Sequence, residues 1–182
     1  MKFIGFLRGI NVGGKHKLPM DDLKKVLSNM GYTNISTVLN SGNIIFESEE
    51  ISAKTIESDI TLKLKKEFHF DTPTIIIKAD DIKKIYRYDP FSKVKIDKNI
   101  RLYITFLKSV LKSKISIPWI SEDNSFRIIK IEDKMVLSVL DLNIAGTIDA
   151  MKNLEKLTGK NVTTRNWNTV EKIVKKLDEK KR

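Results

Sequence analysis

The sequence predicts an α+β fold with antiparallel sheets, built as two ferredoxin-like halves in tandem, the second degraded. Three observations point there. Short apolar runs and helical stripes follow one another in the order βαββαβ over residues 1–92. Two of the runs are joined by the tight turn Asn40-Ser41-Gly42-Asn43. Residues 93–182 repeat the order approximately, with an extra helix at the end. At 182 residues, 41% of them hydrophobic, the chain can bury one sizeable core or two small ones.

Taken in order, residues 3–7 read as a buried strand. Pro19 then opens a helix with Met20, Leu23, Val26, Leu27 and Met30 on one stripe, and Gly31 stops it. Strands at 36–39 and 44–46 flank the turn. Ser52 caps a helix carrying Ile56, Ile60, Leu64 and Phe68, and a strand follows at 74–77. A short helix from Asp80 ends at Asp89-Pro90, and the polar run 92–99 marks the boundary. The second half opens with a strand at 101–107 and an irregular segment through Pro118 and Trp119, where its first helix is lost. A hairpin of 126–131 and 135–140, a helix ending at Gly159 and a short strand at 162–164 come next. The last helix presents Trp167, Val170, Ile173, Val174 and Leu177 on one face.

The formal net charge is +11 and the pI is 9.7. Such a balance ordinarily favours acidic partners or nucleic acid. Nearly all the cations are lysines scattered over outer helix faces, however, and no face gathers the arginines that read bases. Nucleic acid is therefore admitted as a partner but not favoured. Tyr103 is the obvious strand aromatic for a sheet-face nucleic-acid platform. There is no cysteine, which removes disulfides, thiolate nucleophiles and thiolate-bound zinc and fits a cytoplasmic location. His16 and His69 are isolated, so neither a metal nor another cofactor is implied. The apolar run at 3–7 is too short for a signal-peptide core, and no stretch has the length of a membrane span. Oligomeric state is not readable.

The chemistry-bearing stretch is Arg8-Gly9-Ile10-Asn11-Val12-Gly13-Gly14-Lys15, with three glycines, an amide and two cations directly after an apolar strand. Its composition approaches a phosphate loop, whose backbone N–H groups cradle phosphates while lysine balances their charge. A nucleotide-hydrolase loop needs Ser or Thr after the lysine. Here His16 stands there, and Pro19 holds off the helix. The plain alternative is that Gly13 and Gly14 only let the chain turn.

A second candidate contact is Arg165 with Asn166, at a strand-to-helix junction where helix-start N–H groups favour an anion. Arg165 is one of six arginines in a lysine-dominated chain, so its planar fork is wanted either for a ligand or for a buried ion pair. Asn168 with Glu171 reads as a capping box. Ser41 lacks the flanking glycines of a nucleophile elbow, and no residue is assigned a catalytic role. In a plain ferredoxin-like half, the turn at 40–43 is expected at the opposite sheet end from the loop at 8–15.

The stretches LRGINVGGK at 7–15, LNSGNIIFES at 39–48 and TTRNWNTVEK at 163–172 resemble the signatures of a bacterial family catalogued as domain of unknown function sixteen ninety-seven. The resemblance spans essentially the whole chain. It implies an α+β, cytosolic protein of about this length, and it brings no activity, substrate, cofactor or catalytic residue. Function then rests on the residues themselves. The expectation is a binding or regulatory module taking a phosphate-containing small molecule on Arg8, Asn11, Gly13, Gly14 and Lys15, joined by Arg165 and Asn166. The alternatives are a small enzyme of nucleotide or phosphoester metabolism using the same loop as its clamp, and an RNA- or DNA-binding domain.

Overall fold

The computed structural model describes residues 1–11, 13, 16–111 and 115–179. It divides into two compact units, Met1–Lys84 with Glu171–Arg182, and Ile85–Val170. The architecture is α+β, with two antiparallel sheets.

In the first unit, strands β1 (Lys2–Leu7), β2 (Thr33–Val38), β3 (Asn43–Glu47) and β4 (Thr74–Lys78) form a sheet of order β2-β3-β1-β4, antiparallel at every pairing. Helices α1 (Met20–Asn29) and α2 (Ala53–Phe68) supply the two crossovers. Their stripes of Leu23, Leu27, Ile56, Ile60 and Leu64 share one core with Phe3, Ile44, Phe46 and Ile76 of the sheet. Ile4, Phe6, Ile75 and Ile77, on the other face, are buried as well. Burial on both faces explains why these strands read as continuous apolar runs rather than as an alternation.

The helix ends follow the local chemistry of the sequence. Gly31, at φ 87°, donates to the Ser28 carbonyl and Tyr32 donates to that of Leu27. This is the paired closure that a left-handed residue after a helix makes. The Ser52 hydroxyl accepts from the Thr55 N–H at the start of α2.

In the second unit, β5 (Ile100–Leu107), β6 (Trp119–Ile120), β7 (Phe126–Glu132), β8 (Met135–Asp141) and β9 (Val162–Asn166) pair in the order β6-β7-β8-β5-β9. With the two-residue β6 set aside, this is the strand permutation of the first unit. The second crossover is helix α4 (Thr147–Thr158), whose Ala150 and Leu154 pack on Tyr103, Ile128, Val136 and Leu140. Where a first crossover helix would stand, the described residues contain none, and β6 appears within the segment expected to be irregular. Two further helices complete the chain, α3 (Ala79–Tyr88) and α5 (Trp167–Asp178). The Trp167 ring meets Phe91 edge-on at 5.0 Å and stacks on Tyr86 at 6.0 Å.

Two local expectations are corrected. Strand β9 runs on to Asn166, two residues past its expected end, so Arg165 and Asn166 are strand residues paired with Ile104 and Tyr103 and lead directly into α5. Helix α5 begins at Trp167, which puts Asn168 inside the first turn and leaves no capping box with Glu171. The apolar stripe that includes Trp167 outweighs the cap preference of an asparagine.

The turn between β6 and β7 is closed by Asp123. Its carboxylate accepts from the Ser121 hydroxyl at 2.6 Å, the Ser125 hydroxyl at 2.7 Å and the Ser125 N–H at 3.0 Å. These bonds favour the ionised form and bring its pKa from 3.8 down to about 2. A carboxylate depressed on folding contributes stability that is complete above its unfolded value and is lost as pH falls through the folded one. Carboxyl NMR titration should therefore place Asp123 near 2. The urea midpoint of the wild type should fall between pH 4 and pH 2 by more than that of Asp123→Asn.

Candidate functional site

The antiparallel register places Phe6 beside Asn43, so the turn between β2 and β3 stands at the same sheet end as the loop leaving β1. The expectation of opposite ends was wrong. In a βαββ unit the first crossover returns the chain to the far end, and β2 then climbs back to where β1 finished. Two of the three signature stretches therefore meet.

Their junction is tight. Gly42 lies at φ 75°, and a Cβ there would fall 2.7 Å from both Leu7 Cβ and Ile10 Cδ1. Its carbonyl accepts from the Leu7 N–H at 2.8 Å. Leu39, also at positive φ, turns the chain at the end of β2. Asn43 is fully buried, and its amide donates to the Val38 carbonyl at 2.8 Å and to the Ser41 hydroxyl at 2.9 Å. That hydroxyl is a partner of the turn.

The loop itself is organised by Asn11, at φ 54°. Its Nδ2 donates to the Leu18 carbonyl at 3.0 Å and the Asn40 carbonyl at 2.9 Å, while its Oδ1 accepts from the Leu18 N–H at 2.8 Å. Both side-chain N–H groups are thus engaged, and Asn11 acts as a clamp of the loop. The His16 ring stacks on Phe70, with centroids 4.6 Å apart. Its Nδ1 lies 3.1 Å from the Gly9 carbonyl and so carries the proton of that bond. Gly9 and Gly13 have φ of 74° and 60° with open space where a Cβ would stand, so backbone conformation rather than crowding favours glycine there. Gly14 and Lys15 lie outside the described residues.

Arg8 emerges between this turn and the chain entering β4, its N–H donating to the Pro73 carbonyl at 2.9 Å. Beside it Thr72 is fully buried, and its hydroxyl has no hydrogen-bond partner among the described residues. Thr72 escaped the sequence reading because nothing in an Asp-Thr-Pro-Thr run distinguishes it.

Arg165 and Asn166 stand in the second unit. The Arg165 guanidinium donates to the Thr163 hydroxyl at 2.8 Å and the Thr164 carbonyl at 3.0 Å. Burial lowers its pKa from 12.5 to about 10, which leaves it charged at neutral pH. Tyr103, the expected nucleic-acid platform, is buried against the α4 core with its hydroxyl 3.4 Å from that of Thr147. No helix among the described residues is long and apolar enough to cross a membrane.

The comparisons agree with this fold. The family model described as protein of unknown function (DUF1697) matches residues 1–134. The chain is similar to a solved structure, the conserved bacterial protein SP0830 from Streptococcus pneumoniae, with a TM-score of 0.72. The identity is 21%, over 97% of this chain and 98% of that one, a likeness of fold. No curated protein matches the chain.

Removing the Asn11 side chain strands the Leu18 N–H and the carbonyls of Leu18 and Asn40. Asn11→Ala should therefore lower unfolding stability by about 1–3 kcal/mol in urea titration. Gly42→Ala combines left-handed strain with overpacking and should cost about 2–4 kcal/mol in the same measurement.

Proposed function

The chain belongs to the protein family of unknown function DUF1697, and from that premise we propose that it is a binding module for a phosphate-containing small molecule, held at the C-terminal end of β1. The observation that carries this reading is the pinned loop. The chain from Arg8 to Asn11 is held by Asn11 and Gly42 against the turn at 39–42, so the segment bearing Arg8 needs little ordering when an anion arrives. Arg8 serves as the planar donor and Lys15 as a point charge. Gly13 and Gly14 bring backbone N–H groups close to the phosphate oxygens. The buried Thr72 hydroxyl is a further donor at the same sheet end. Asn11 shapes the site without touching the ligand.

Isothermal titration of the full chain with inorganic phosphate, pyrophosphate and nucleoside mono-, di- and triphosphates tests the reading. Arg8→Ala and Lys15→Ala are each expected to weaken the bound phosphate compound at least tenfold, about 1.4 kcal/mol. Lys63→Ala, a half-buried helix cation paired with Glu67, should leave affinity unchanged. Equal affinity in the wild type and both loop variants, or no binding of any phosphate compound, sinks the reading.

A further inference from the structure

The second unit carries an open groove of about 660 Å³ along the outer margin of its sheet. Its lining is largely aliphatic, with Pro90, Val94, Ile117, Ile120 and Ile129. Tyr88, Ile117 and Ile120 are 63%, 41% and 49% exposed. One exposed apolar side chain needs no explanation, whereas three on one groove do.

Among the described residues, the charged members of the lining are all cations, Lys93, Arg127 and Lys130. Lys130 is already committed, with its Nζ 4.2 Å from the centre of the Tyr88 ring and 3.3 Å from Glu132. Neither Lys93 nor Arg127 makes a side-chain hydrogen bond or ion pair among the described residues. Ile120 and Arg127 are register partners on β6 and β7, so an apolar side chain and a guanidinium stand side by side. A bulge between Ile128 and Lys130 breaks the alternation of β7, and sequence neighbours Ile129, Lys130 and Ile131 all line the groove. Strand β6 lies at the edge of the sheet, with a strand on one side only.

We propose that this groove docks an acidic peptide segment of a partner protein, extended along β6, with apolar side chains on Ile117, Ile120 and Ile129 and carboxylates on Arg127 and Lys93. The open edge offers main-chain hydrogen bonds and the aliphatic floor offers pockets, which is the combination by which sheets capture extended peptides. Single-stranded nucleic acid fits less well. It relies on aromatic stacking platforms, and the one aromatic side chain of the lining among the described residues, Tyr88, already has Lys130 over its ring. A second copy of a chain of net charge +11 would oppose cations to cations.

The test is fluorescence anisotropy of the full chain against a labelled decapeptide of alternating glutamate and leucine. A lysine–leucine decapeptide, a glutamate–serine decapeptide and a ten-nucleotide oligothymidylate serve as comparisons. The glutamate–leucine peptide is expected to bind at least tenfold more tightly than the other three. Arg127→Glu, Lys93→Glu and Ile120→Asp should each weaken it at least tenfold, while circular dichroism and melting of the two charge variants stay at wild-type values. Any one of four results overturns the proposal: no binding of the glutamate–leucine peptide, unchanged affinity in Arg127→Glu and Lys93→Glu, tighter binding of oligothymidylate, or a wild-type dimer in sedimentation that Ile120→Asp dissociates.

Discussion

The first unit depends on a side chain that is absent. Gly42 lets the turn between β2 and β3 close onto Leu7 and Ile10, with 2.7 Å where a methyl group would have to fit. That approach allows the Leu7 N–H to reach the Gly42 carbonyl and brings the Asn40 carbonyl within reach of the Asn11 amide. The path of the glycine loop is therefore set by the register of the sheet rather than by its own weak propensities. Asn11 then passes the constraint on through Leu18, which is buried one residue before the proline that precedes α1. Loop, turn and helix entry form one mechanical assembly, and its glycines spend conformational freedom on fixed geometry.

The two units solve one problem in two ways. Each holds a strand permutation in which the second and third strands lie outside the first, and each needs cover for the face that this creates. In the first unit α1 supplies it. In the second, Trp119 packs on the core and meets Phe126 edge-on at 6.4 Å, while Leu111 adds partial cover. A short strand and one large ring replace a ten-residue helix. The exchange makes the two-residue β6 an edge of the sheet, and along that margin the apolar groove stays open.

Most of the element order was legible because helical stripes and turn residues are local signals. The stripe of α2, the Ser52 cap and the Gly31 stop all stand where local chemistry puts them. Strand β6 was not legible, since two residues carry no periodicity and its pairing with β7 is a tertiary fact. Strand β9 outran its expected end because Arg165 and Asn166 look like loop residues until Ile104 and Tyr103 are seen beside them. At the candidate site the residue types were readable and their division of labour was not. An asparagine in a glycine loop serves equally as ligand donor or as clamp, and only the positions of Leu18 and Asn40 reveal its bonds as a clamp. The meeting of the loop with the turn was misjudged through topology, since a crossover reverses direction twice before the third strand begins.

The scarcity of arginine is a signal of geometry more than of ligands. Arg165 spends its fork on the Thr163 hydroxyl and the Thr164 carbonyl, and Arg101 donates to the carbonyls of Lys98 and Ile100. A flexible ammonium would lose more freedom for each such bond than a planar guanidinium does. Two of the six arginines are thus explained by the chain itself. What distinguishes Arg8 is its place, at a strand end where a glycine loop, a fixed turn and a buried hydroxyl with no hydrogen-bond partner among the described residues come together. What distinguishes Arg127 is that it is the register partner of Ile120 on the edge strand and has no side-chain hydrogen bond or ion pair among the described residues. Position relative to backbone and apolar surface, rather than rarity in the composition, separates an arginine that holds the fold from one that faces outward.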